Sequence, residues 1–137
     1  MDSLAGNFES GFGLLAGERV VLGEIGGLID RVAGIDVAGL SREEFADLVA
    51  DMAAESERMA AMVGRFMELG ERAACAYTKG ERTMIGVVNT RGRVSRARAA
   101  SMRRAGRAEY RFPSFHAALM GRRISLAHVD LMSKWAR

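Results

Sequence analysis

Apolar residues recur at intervals of three and four along most of this chain, the spacing that gathers them on one face of an α-helix. From Gly17 to Val32 they are Val21, Leu22, Ile25, Leu28, Ile29 and Val32. Gly26 and Gly27 weaken that helix by about 1 kcal/mol each relative to Ala, and Gly34 ends it. Residues 1–16, rich in Gly, Ser and Asn with Phe8 and Phe12 as scattered anchors, read as a loose lead-in. Ser41-Arg42-Glu43-Glu44 then has the form of a capping box, Ser at the N-cap and Glu three residues on. The helix it opens carries Phe45, Leu48, Val49, Met52, Met59, Met62, Val63 and Phe66 on one stripe, with acids and Arg58 on the other face. Only Gly64 and Gly70 interrupt it before Thr78-Lys79-Gly80, and about 38 residues would span about 57 Å. A helix of that length in so small a chain either kinks near Gly64–Gly70 or pairs with a partner as an antiparallel hairpin or dimer. The stripe itself is read as core packing, ahead of a lipid or cofactor groove.

The second half breaks into shorter pieces. Met84, Ile85, Val87 and Val88 mark a short buried helix within Arg82–Asn89, closed by a turn at Thr90-Arg91-Gly92. Ser95 caps a helix that runs to about Arg111, because Pro113 drives the residue before it out of helical geometry. Pro113 opens a helix from Ser114 to Met120 that Gly121 stops, and Ser125 starts a last one to Trp135. No strand pattern and no internal repeat is present. The expected fold is all-α: one domain over 1–137, with an acidic scaffold at 17–80 built on one long central helix and a basic cluster of short helices at 81–137.

Charge sharpens that division. Residues 1–70 hold five Lys/Arg against thirteen Asp/Glu, a net −8; residues 71–137 hold fifteen against four, a net +11. Such halves can fold onto one another or leave the basic one for a polyanion. A single cysteine, Cys75, excludes an internal disulfide and makes a thiolate zinc site implausible; set in Ala-Ala-Cys-Ala, it reads as a small buried hydrophobe. With no signal-peptide pattern and no uninterrupted apolar run, the expectation is a cytoplasmic, soluble chain with no membrane span.

For catalysis the sequence offers little. It has no phosphate-binding Gly loop, no Gly-x-Ser-x-Gly turn and no metal-ligand cluster. His116 and His128 are expected to hydrogen-bond locally, His128 from the third helical position back to the Ser125 amide. No enzyme activity, metal, cofactor or small-molecule substrate is therefore expected. The stronger signal is arginine: ten between Arg91 and Val129, against one acid, Glu109. On a helical wheel Arg96, Arg103, Arg104 and Arg107 fall within about 100° of one another, opposite Ala105 and Ala108. Guanidinium forks match phosphate oxygens two at a time. These four, with Arg122 and Arg123, are the candidate DNA contacts. The alternative is that they pair with the acidic long helix.

Several stretches also carry a family pattern: Gly34-Ile35-Asp36-Val37, Leu40-Ser41-x-x-Glu44, and Val94-Ser95-Arg96-x-x-Ala99. They are followed by Pro113-x-x-x-x-Ala118-Leu119-x-Gly121-x-x-Ile124-Ser125-x-x-His128. In these the chain, over about residues 20–137, resembles the actinobacterial domain of unknown function 222, the 13E12 repeat family. That resemblance implies a helical accessory domain of the kind placed before an HNH endonuclease module. The chain departs from the pattern at Val87-Val88, where the family carries Trp-Leu, and at Glu109, where it carries Leu. The residues of an HNH module do not follow, so nuclease activity is not carried over, and a truncated or short member is expected. Together these readings give a non-catalytic, DNA-contacting accessory domain, with a protein-interaction or homodimerisation module through the long helix as the alternative.

Overall fold

In the computed structural model, the described residues are 12–74 and 81–135. They form six α-helices and a short 3-10 turn, with no strand among them. The order is α1 (Phe12–Ala33), the 3-10 turn (Val37–Gly39), α2 (Arg42–Arg72) and α3 (Met84–Thr90), followed by α4 (Arg96–Arg111), α5 (Pro113–Met120) and α6 (Leu126–Trp135). The all-α expectation holds, with α2 as the long helix, packed against α4. The chain divides into two compact units, Met1–Asp47 and Leu48–Arg137.

In the first unit α1 begins five residues earlier than the apolar spacing predicts and runs unbroken through Gly26 and Gly27. It stops where expected, the Gly34 amide closing onto the Asp30 and Arg31 carbonyls. Asp36 accepts from the Ala38 amide at 3.0 Å to fix the 3-10 turn. The capping box forms as read: the Ser41 hydroxyl accepts from the Glu44 amide at 3.1 Å, and the Glu44 carboxylate from the Ser41 amide at 3.2 Å. From Gly17 to Gly39 every residue is exposed, Val21, Leu22, Leu28 and Ile29 among them.

In the second unit α2 continues as one helix through Gly64 and Gly70, and at 31 residues it is shorter than predicted. It ends at Arg72, and Ala74 turns left-handed at φ 54°. The predicted Thr78-Lys79-Gly80 stop and Cys75 lie outside the described residues. The glycines are points of close approach. A Cβ on Gly64 would collide with the Met102 carbonyl, and one on Gly106 with the Gly64 carbonyl. The α2 and α4 backbones therefore cross in direct contact there. Around that crossing sit Ala60, Ala61 and Met67 of α2 with Ala99, Met102, Ala105 and Ala108 of α4, joined by Leu119, Leu126 and Val129.

Polar side chains of α2 also tie down later helices. Glu71 accepts from the Met84 amide at 2.6 Å and Glu57 from the Leu126 amide at 3.0 Å, so two acids of one helix meet the positive N-termini of α3 and α6. The expected Ser95 cap is formed, accepting from the Arg98 amide at 3.1 Å. Pro113 is the first residue of α5, and Gly121 closes that helix.

One expectation is overturned. The spacing of the α2 stripe predicts core packing, yet Phe45, Val49, Met52, Met59, Met62 and Phe66 are all exposed, and only Leu48 and Val63 are half-buried. The periodicity located an apolar face correctly. The core of the second unit, however, uses the opposite, small-residue face of α2: Ala60, Ala61, Gly64 and Met67. Tight helix crossing there needs glycine and alanine, which a hydrophobicity pattern weights lightly.

Candidate functional site

The candidate arginines do not form one free face. Arg103 enters the protein, its side chain only 19% exposed, and pairs with the buried Glu68 of α2. Glu68 is held on its other oxygen by Arg72 at 2.8 Å, and the Arg72 guanidinium lies 3.7 Å over the Tyr110 ring. Arg104 donates to Asp130 of α6 at 2.5 Å and 3.2 Å, a fork-to-carboxylate pair that raises its pKa further. Arg122 reaches back to Glu55 and, at 3.4 Å, to Asp51. The hydrogen bond from Arg122, followed by that from Arg58, holds the Glu55 carboxyl below its ordinary pKa. Outside the predicted set, Arg98 approaches Glu57 at 3.7 Å.

Arg96, Arg107 and Arg123 are exposed and take part in no ion pair among the described residues. Arg103, Arg104 and Arg107 do converge, with Glu71, Thr83, Ile85 and Ala100, on a shallow depression. Arg122 and Arg123 line a second one with Glu57, Leu119 and His128. Five of the six thus fall into two groups, with Arg96 in neither, and in each group carboxylates already occupy part of the cationic surface. Arg122 itself has a left-handed backbone, φ 59°, where the chain leaves α5.

Both histidines act locally. His128 Nδ1 accepts from the Ser125 amide at 3.1 Å, the contact read from the sequence. His116 Nδ1 lies 2.7 Å from Glu109, whose side chain is 1% exposed. Burial pushes the Glu109 carboxyl up, with His116 and then Arg65 opposing it. No group of three or more His, Cys, Asp or Glu among the described residues could hold a metal ion. Nor is any helix among them long and apolar enough to cross a membrane.

The other candidate surface is the exposed stripe on α2. Its members are between 37% and 56% exposed, and they lie on the side of the helix away from Ala61, Gly64 and Glu68. Contiguous apolar patches of more than a few hundred Å² are uncommon on soluble monomers and mark contact surfaces. The sequence signal was present in Phe45–Phe66, but periodicity alone does not say which of two faces a helix buries. Compared with protein-family models, curated proteins and solved structures, the chain finds no match in any of the three.

Proposed function

We propose that this chain is a non-catalytic helical interaction module that binds another polypeptide through exposed apolar helix faces, chiefly that of α2. The observation that carries this reading is the six-residue stripe Phe45, Val49, Met52, Met59, Met62 and Phe66, left open to solvent while the opposite face of α2 packs the core. Leaving large apolar side chains in water forgoes about 25 cal/mol per Å², so a partner that covers them gains binding free energy. Light scattering on the purified chain tests it. A species heavier than 14.8 kDa at micromolar concentration is expected. A strict 14.8 kDa particle that also captures no polypeptide would contradict it.

DNA contact is the second reading, motivated by Arg96 and Arg107, which stay exposed and outside any ion pair among the described residues. It rests further on the resemblance to the nuclease-associated 13E12 repeat family. Substituting Arg103 would be a poor probe, since it unpairs buried Glu68 and damages the fold. Arg96→Glu with Arg107→Glu leaves the core intact. If DNA is a ligand, that pair weakens duplex binding in anisotropy titrations and flattens its dependence on salt. Equal affinity for wild type and variant excludes it.

A further inference from the structure

Resting on the interaction reading, we infer that the polypeptide covering the α2 stripe is a second copy of this chain, whose α2 lies antiparallel about a two-fold axis between Glu55 and Ser56.

The pattern of the stripe is self-complementary. Phe45, Met52, Met59 and Phe66 follow one another at intervals of seven, which keeps them on one line of the helix with a drift of about 20° per interval. Val49 and Met62 flank that line. Reversed about the point between residues 55 and 56, the central line returns onto itself: Phe45 meets Phe66 and Met52 meets Met59, with Val49 and the second copy's Met62 at one level on opposite edges of the contact. An isologous contact requires this property, because both copies present the same patch.

The charges beside the stripe make the same choice of direction. Glu44, Asp51, Arg58, Arg65 and Arg72 also repeat at seven, and the first four each precede a stripe residue. This edge is acidic at one end and basic at the other. Antiparallel pairing sets Asp51 beside the second copy's Arg58 and Glu44 beside its Arg65. Parallel two-fold pairing would set this edge against the opposite edge of the second copy, beside its Val49, Ser56 and Val63, where there is no counter-charge. The existing contacts leave room for this: the Asp51 side chain is 70% exposed and only loosely held by Arg122 at 3.4 Å. Glu55, near the axis, is already neutralised by Arg58 and Arg122.

The area is sufficient. On ordinary side-chain areas the exposed parts of the six residues come to roughly 500 Å² per copy, so a pair buries about 1,000 Å², the lower bound for a stable association.

Disulfide trapping in the full chain, on a Cys75→Ser background, tests direction and register. Ser56→Cys, an exposed position next to the axis, is expected to link two copies under mild oxidation. Arg42→Cys, whose copies would lie about 40 Å apart at 1.5 Å per residue, is expected not to. Met52→Cys and Met59→Cys are expected to link when mixed, and neither efficiently alone. Efficient trapping of Met52→Cys and of Met59→Cys each on its own would mean parallel helices in register and overturn the inference. An assembly heavier than one chain that traps at none of these positions would overturn it while leaving the interaction reading standing. A monomer that still captures another polypeptide would do the same, and a monomer that captures none would remove both.

Discussion

Gly64 and Gly106 set how closely α2 and α4 approach, since each presents its backbone where a side chain would sit. Gly106→Ala is expected to destabilise the second unit by about 1–3 kcal/mol, read as a lower urea midpoint, because helix must separate from helix to admit a methyl group. An unchanged midpoint would mean that the crossing is looser than described. The sequence marked Gly64 as an interruption, because a lone glycine in a helix signals weakness before it signals contact. Glu109 was likewise visible only as an acid among arginines. In the fold its carboxyl is buried against His116 and raised above the ordinary 4.5. A carboxyl raised by folding favours the native state while protonated. Its contribution is present below about pH 4.5 and is lost as pH rises through the folded value. Glu109→Gln, which keeps a polar partner for His116 and cannot ionise, should lose less stability between acid and neutral pH than wild type. Parallel pH profiles for the two would show that Glu109 does not titrate across that range.

Helix starts were the most legible part of the sequence, because a cap is local chemistry. Ser41 with Glu44, Ser95, Pro113 and Ser125 with His128 all act where they were read. Which face of a helix is buried was not legible. On α2 two faces compete, one of large residues at intervals of seven and one of Ala and Gly. The small-residue face wins the intramolecular contact because it lets α4 approach backbone to backbone. The large-residue face is thereby left exposed. The arginine face was half legible: the wheel grouped Arg96, Arg103, Arg104 and Arg107, but acids distant in sequence, Glu68 and Asp130, claim two of the four.

Across the second unit the charge imbalance between the halves of the chain is partly consumed internally. Glu55, Glu57 and Glu68 of α2 meet Arg122, Arg98 and Arg103 from the basic half. The exposed pairs Glu55–Arg122 and Glu57–Arg98 contribute little stability each, whereas Glu68–Arg103 is largely buried; together they orient α4 and the α5–α6 turn on α2. The large apolar side chains left exposed on α2 in this unit are Val49, Met52, Met59, Met62 and Phe66. Methionine supplies its own probe for that surface. Met52, Met59 and Met62 are exposed in the single chain, whereas Met67, one turn or so further on, is only 1% exposed. Hydroxyl-radical footprinting read by mass spectrometry, over a range of protein concentrations, therefore reports directly on whether the stripe is covered. The expected result is that Met52, Met59 and Met62 are protected at high concentration and become oxidised on dilution, while Met67 stays protected throughout. Rapid oxidation of Met52 and Met59 at every concentration, with Met67 still protected, would contradict self-association through α2.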